Sequence, residues 1–362
     1  MHIPWALPSI SENEKKHLEQ AITGNWISQG EFIKRFETDF AEFQQHKHAF
    51  TVCNGTGALQ LAYLALGLKA GDEIIVPGYG FMAAANVALE LSMSPVFVDV
   101  DPKTWCLDPA KIEQAITPRT RAIVAVDTYG NICDMGSINA IAAKHKLAVI
   151  EDAAEAIGSK YRGQMAGKNG IIGTFSFHAA KTITTGEGGM VVTDSDKLAE
   201  KLRLFRSHGV LSRYYFHEVA GHNFRMSNLH AAIGCGQMER VEELLTARQK
   251  VFLDYYNNLK DSAVVSMQQM VPEVEPVVWA IAVRLDPDAF PNGRDAVQEQ
   301  MKALGIETRP GFAAADEMKI YSTQPLPASH DLSRNIICLP GYVGMEKADI
   351  AYVCKALLKL AG

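Results

Sequence analysis

The sequence has no two cysteines at the close spacing of a redox or zinc motif, and its six (Cys53, Cys106, Cys133, Cys235, Cys338 and Cys354) are scattered along 362 residues. That indicates neither a disulfide framework nor a Cys/His metal site, so no metal is expected and a reducing compartment is the simpler reading. No apolar run reaches the roughly 18 residues that cross a bilayer. The opening residues, MHIPWALPSISENEKK, lack the basic start and apolar stretch of a secretion signal. The expectation is a cytoplasmic protein without a membrane partner. Positive charge is not in excess either: the formal net charge is -6. Nothing therefore draws the chain to nucleic acid, and an anionic ligand must be held by local groups.

What is present is an ordinary globular composition, 48% hydrophobic and 21% charged, on a chain long enough for a large core and two domains. Ser11-Glu-Asn-Glu14 reads as a capping box that opens a helix ending at Gly24, and Phe32, Phe36 and Phe40 recur at helical spacing as a core stripe. From residue 55 helices and strands alternate: GALQLAYLALGL, EIIVP, Ala83 to Leu91, SPVFVDV, DPAKIEQAI, AIVAVDTYG, Asp134 to His145 and LAVIEDA. The strands are apolar along their length, which predicts a largely parallel sheet covered on both faces, an α/β fold. The strand-like GTFSFH and GMVVTD follow, then one long helical region from about Asn228 to Leu259. Past a boundary near 245, a strand EPVVWAIAVRL, a helix from Arg294 to Leu304, a strand IETRP and a helix from Lys347 to Leu360 predict a smaller α+β domain over 246–362. FAAADEMKIYSTQPLPASH reads as loop.

Within this frame the segment SFHAAKTITTGEGG, Ser176 to Gly189, holds a single lysine among small polar residues and glycines. A lysine that only solvates a helix face usually sits among other charges. Asp152 stands at the carboxyl end of the buried strand LAVIEDA, where open α/β sheets place ligands, although such an Asp can also merely cap the next helix. A buried amine and a buried carboxylate suit pyridoxal phosphate. The amine can bind the cofactor's aldehyde covalently, and the carboxylate can keep the pyridine nitrogen protonated. Asn54-Gly-Thr-Gly57 supplies glycines at a helix start as a candidate phosphate cradle. It lacks the third glycine of a dinucleotide fingerprint, and no P-loop pattern occurs. Phe81, in the loop after EIIVP, could stack on a flat ring or pack in the core.

In register, the segments Asn54–Gly57, Val76-Pro-Gly-Tyr-Gly-Phe81, Pro95–Asp101, Glu151-Asp-Ala-Ala154, Ser176–Lys181, Gly186–Gly189 and Gly221-His-Asn-Phe-Arg-Met226 resemble the DegT/DnrJ/EryC1/StrS sugar aminotransferases. Lys-Thr-Ile-Thr-Thr-Gly-Glu-Gly-Gly-Met-Val-Val, from Lys181 to Val192, and Glu155 are similar to the GDP-perosamine branch. The resemblance implies a type I aspartate-aminotransferase-like fold and a homodimer with shared active sites. The implied reaction moves the amino group of L-glutamate to a 4-keto-6-deoxy nucleotide sugar, GDP-4-keto-6-deoxy-D-mannose foremost, for O-antigen or another glycan.

By the same resemblance Lys181 is the catalytic lysine and Asp152 the pyridinium partner. Phe81 is the stacking ring, and Glu155 neighbours the ring oxygen. Gly55, Thr56, Gly57 and Ser176 form the phosphate site, with Asn223 reaching it from the second subunit. His178, Glu187 and Arg225 are candidates to face substrate, although a histidine so close to a strand core, like His178, is more often an internal, satisfied group. The chain departs from the branch at Gly311-Phe-Ala-Ala-Ala-Asp316, where an aromatic, a proline and a histidine are usual, which leaves a dTDP- or UDP-linked sugar open. Two other classes stay open too, a pyridoxal phosphate-binding regulatory homologue and a nucleotide-binding oxidoreductase.

Overall fold

The computed structural model describes residues 2–210, 212–213 and 215–362. Nine strands come first: β1 His48–Val52, β2 Glu73–Pro77, β3 Ser94–Val98, β4 Thr120–Val126, β5 Ala148–Asp152, the short β6 Lys160–Tyr161 and β7 Gln164–Met165, then β8 Ile172–Ser176 and β9 Gly189–Thr193. All but β6 and β7 form a seven-stranded sheet in the order β1-β9-β8-β5-β4-β2-β3. The pairings from β3 through β8 are parallel, and β9 is antiparallel to both β8 and β1. Ile123, Val124, Ala125 and Ile150 are fully buried, as strands covered on both faces must be.

The expected capping box is present: the Ser11 side chain accepts from Asn13 N, and Glu14 reaches back to Ser11 N. The phenylalanine stripe lies on the helix Glu31–Phe43 and is buried. Phe40 packs its ring 5.0 Å from that of Phe175 and 5.3 Å from that of Phe177, centroid to centroid, beneath the strand that leads to Lys181. The helix Asn228–Met238 crosses close by, and a Cβ on Gly234 would lie 2.8 Å from the Phe36 ring.

The expected long helix over 228–259 is two helices, Asn228–Met238 and Val241–Leu259. Between them the Glu239 carboxylate is drawn aside by His17, at 2.8 Å, and by Arg35, at 2.6 Å. The second helix joins the two halves of the molecule. Val241 and Leu245 belong to the core of the large sheet, while Val251, Tyr255 and Leu259 belong to the core of a second sheet.

The second sheet contains β10 Val265–Met267, β12 Ile281–Leu285, β13 Arg309–Pro310 and β14 Ile336–Leu339, while β11 Val274–Glu275 pairs with β6 instead. The strands expected over EPVVWAIAVRL and IETRP are thus shorter than read, because residues 276–280 join no strand and 306–308 add only the isolated bridge of Ile306 to Ile3. Ile3 packs into this second core, although sequence order groups it with the first half. The Ile3 and Glu307 backbones hold the segment there, with Ile3 N donating to Gly305 O and Glu307 N to Ile3 O. The loop reading of 312–330 is overturned at its end by the helix Pro327–Asn335. Its cap comes from the distant Asp99, whose carboxylate accepts from Ala328 N, Ser329 N and Ser329 Oγ at 2.7–3.0 Å. No local pattern announces such a cap.

Replacing Phe40 by Ala should lower the unfolding free energy by about 3–5 kcal/mol with the chain still folding, as read by denaturant titration. A loss within 1 kcal/mol would mean the stripe is not the core under β8.

Candidate active site

A cavity of about 480 Å³ opens where the carboxyl ends of β4, β5 and β8 meet the start of the helix Gly55–Leu66. Val126, Asp152 and Ser176, the last residues of those three strands, all line it. The placement is the ligand position of an open parallel sheet. Asn54 caps the helix, its Oδ1 accepting from Gly57 N at 2.8 Å. A Cβ on Gly55 would stand 3.0 Å from Ser176 Cβ, so glycine is what lets the helix start and the end of β8 close on one another.

Three ionisable groups are buried at the cavity floor. Lys181 Nζ donates to Glu155 Oε1 at 3.2 Å, and the side chains keep only 12% and 5% of their exposure. Asp152 Oδ1 accepts from Ala154 N at 3.2 Å and from Thr174 Oγ1 at 3.4 Å. Burial pushes the Asp152 carboxyl up to about 6 from its ordinary 3.8; the Ala154 N–H and the Lys181 charge oppose the rise and the Glu155 charge adds to it. Two carboxylates face one ammonium, so the floor is short of one positive charge.

The threonines and glycines around Lys181 have structural work. Thr184 Oγ1 donates to Phe177 O and Thr185 Oγ1 to Glu187 O, fastening the loop after β8 to its own backbone. Of the residues singled out in the sequence, Gly55, Thr56, Phe81, Asp152, Glu155, Ser176, His178, Lys181 and Glu187 line the cavity. Phe81 leaves 64% of its surface exposed at the cavity wall and meets the Phe312 ring edge-on at 6.3 Å between centroids. His178 is not an internal group: its side chain is half exposed, its Nδ1 accepts from Ala180 N at 3.2 Å, and its Nε2 lies 3.9 Å from Glu187. Gly57, Asn223 and Arg225 are not in the wall of their own chain's cavity; Arg225 Nε donates to Asn223 Oδ1 at 3.3 Å. Three aromatic walls were not singled out for the site, Trp5, Trp279 and Phe312. Trp5 and Trp279 come from segments with no glycine or charge signal beside them, Phe312 lies in the departing segment Gly311–Asp316, and only the fold brings the three within reach.

The sequence pattern of the DegT/DnrJ/EryC1/StrS aminotransferase family matches residues 8–358. The chain belongs to that family. It is 43% identical to the GDP-perosamine synthase of Caulobacter vibrioides, over 98% of this chain and 97% of that one. To the GDP-perosamine synthase of Escherichia coli O157:H7 it is 38% identical, over 98% of each. Among solved structures it superposes on Helicobacter pylori PseC, an aminotransferase of pseudoaminic acid biosynthesis, with a TM-score of 0.95 and 28% identity over 100% of this chain and 99% of that one. The expected fold is therefore the observed one, that of the pyridoxal phosphate aminotransferases.

The cofactor is pyridoxal phosphate, and the cavity fits it on its own evidence. The missing positive charge beside Asp152 suits a protonated pyridine nitrogen, and the approach of Gly55 to Ser176 leaves a small polar cradle for a phosphate. Among the described residues no helix is long and apolar enough to cross a membrane, and no cluster of metal-binding side chains occurs.

The Asp152 shift sets a pH dependence for the cofactor-free protein. The folded carboxyl titrates near 6, above its unfolded value of 3.8, so the folded chain binds more protons between these values. The contribution to stability is complete below the lower one and is lost as pH rises through the upper one. Asp152→Asn should therefore stabilise the cofactor-free protein at pH 7.5 by on the order of 1–3 kcal/mol while weakening cofactor binding. Denaturant titrations at about pH 4.5 and 7.5 check it; an Asn variant no more stable than wild type at the higher pH would contradict the burial cost.

Proposed function

We propose that the chain transfers the amino group of L-glutamate to a 4-keto-6-deoxy nucleotide sugar, with GDP-4-keto-6-deoxy-D-mannose as the acceptor and GDP-perosamine as the product. The carrying observation is the buried Lys181 and Asp152 on one cavity floor, in a chain 43% and 38% identical to two GDP-perosamine synthases. When bound, pyridoxal phosphate supplies the electron sink that makes a carbon-bound proton labile.

The chain's residues do the rest. Lys181 Nζ takes the proton from Cα of glutamate and, in the second half of the cycle, delivers a proton to the sugar carbon that receives the amine. Asp152, buried and short of a cation, holds the proton on the ring nitrogen. Glu155 keeps the lysine amine close whenever it is free, as its 3.2 Å contact supports. Phe81 offers a ring face, and Gly55, Thr56 and Ser176 offer phosphate donors; Gly57 gives its N–H to Asn54 and shapes the turn. His178 and Glu187 stand at the cavity wall where a sugar would lie.

The active unit in this reading is a homodimer in the cytoplasm, where it would serve O-antigen or related glycan synthesis. Asn223 and Arg225 lie outside their own chain's cavity, which supports their reaching the neighbour's. Trp26, Ile22 and Ile27 leave half or more of their surface exposed, an apolar patch suited to a second copy.

Mixing the enzyme with glutamate and GDP-, dTDP- or UDP-linked 4-keto-6-deoxy sugars should yield 2-oxoglutarate and an aminated GDP-sugar by mass spectrometry. Lys181→Ala should lower turnover at least about a thousandfold. Wild-type rates in that variant would refute the assignment, and amination of only the dTDP- or UDP-sugars would move the acceptor.

A further inference from the structure

Trp279 touches the segment of Lys181 twice. Lys181 Nζ lies 3.5 Å from the centroid of its indole, and the indole Nε1 donates to Ala180 O, one residue before the lysine, at 2.7 Å. The main chain completes a ring of contacts. Trp279 N donates to Tyr129 O at 3.0 Å, Tyr129 N donates to Glu155 Oε2 at 2.9 Å, and the other oxygen of Glu155 accepts from Lys181. Tyr129 closes this ring in the left-handed region, at φ 60, a conformation that a large side chain holds only when its surroundings impose it.

The indole cannot turn away. Trp5 meets it edge-on at 6.0 Å between centroids, Tyr129 lies nearly parallel at 6.3 Å, and Trp279 itself is 9% exposed. A tryptophan that only filled space would pair its buried N–H as well, but it would not need to present its face to an ammonium at 3.5 Å.

From this geometry we infer that Trp279 is a positioning residue for Lys181: its face is where the ammonium rests when the lysine is free, and its Nε1–H fixes the backbone that carries the side chain. The inference rests on the reading of Lys181 as the catalytic amine. An ammonium has three donors and here one carboxylate contact. A second carboxylate at hydrogen-bond distance would hold it tightly, whereas an aromatic face satisfies a desolvated cation and still lets it go. Since Trp279 precedes β12 of the smaller sheet, the lysine is thereby gauged against both halves of the molecule.

The test uses three variants. Trp279→Leu removes the face and the N–H, Trp279→Phe keeps a face alone, and Lys181→Ala tests the underlying reading. In the holoenzyme the glutamate and keto-sugar half-reactions are timed separately. Both need the lysine, so Trp279→Leu should slow both about tenfold, the worth of a desolvated cation–π contact, with each KM within about twofold. Trp279→Phe should recover most of the rate.

Independently of activity, the cofactor-stripped protein is treated with an amine-reactive ester and acylation of Lys181 is followed by peptide mass spectrometry. Uncovering the amine should raise that rate several-fold in Trp279→Leu and about twofold in Trp279→Phe, where only the Ala180 anchor is lost. Lys181 acylation at the wild-type rate in both variants, or a defect confined to KM for the sugar, would overturn the proposal. If Trp279→Leu does not fold, the acylation rate of Trp279→Phe decides. Full activity in Lys181→Ala would instead sink the reading on which the proposal stands.

Discussion

The burial of Asp152, Glu155 and Lys181 at the carboxyl edge of a parallel sheet is the constraint from which the rest of the site follows. Taking these groups out of water costs several kcal/mol each unless partners are supplied. Lys181 and Glu155 supply each other, and Asp152 is left with one backbone N–H and one hydroxyl. The chain alone therefore does not balance its charges. The surrounding sheet is buried on both faces, and in the proposed reading the ligand, not the protein, completes the set. A site built this way trades stability of the empty protein for affinity toward a cation at one point in space.

Holding that set still requires parts of the chain that lie far apart. The segment before Trp5 is laced to the smaller sheet, and Trp5 O accepts from Gly341 N, whose own carbonyl accepts from the buried guanidinium of Arg248. Arg248 sits in the middle of the helix Val241–Leu259, which contributes to both cores. The same helix thus spans the two sheets and, through one turn, sets the aromatic wall of the cavity. Tyr79 and Tyr129, themselves buried, back that wall behind Phe312, with the Tyr129 and Phe312 rings parallel to within 8° at 5.1 Å and the two phenols hydrogen-bonded at 2.9 Å. Rigid aromatics lose little entropy on ordering, which suits a wall that must keep its shape while the lysine moves.

What was legible in the sequence was local. Asn54–Gly57, Glu151–Glu155 and Ser176–Gly189 each put strand end, turn and functional side chain within a few residues, so the backbone they need is written beside the chemistry they carry. Alternating periods revealed the large sheet for the same reason. The helix Pro327–Asn335 was not legible because its cap is Asp99, more than 200 residues away. Trp279 read as strand because its neighbours are β-branched and apolar, yet the chain there bends to give its N–H to Tyr129 and its ring to Lys181. Residues that act through tertiary geometry leave no periodic trace, and a lone tryptophan in an apolar run is the weakest signal of all.

Within the proposed function, the departure at residues 311–316 bears on specificity and leaves the buried charges untouched. Gly311 packs where a Cβ would meet Tyr79 Oη at 2.6 Å, and Phe312 then turns its ring onto Tyr129 and to within 6.3 Å of Phe81. Ala314 and Ala315 are fully buried, and Asp316 accepts from Leu326 N, so this segment braces the start of the helix Pro327–Asn335. No imidazole is offered to the cavity from this side. In the proposed reading the acceptor's hydroxyls meet groups elsewhere on the wall, where His178 and Glu187 stand beside Asn54, Thr56 and Ser176. On that reading a change of sugar would be sought at Phe312 or His178, which line the cavity apart from the buried charges. On the proposed function, such a separation would let differences in wall contacts alter relative affinities for acceptors while the lysine and its partners stay fixed.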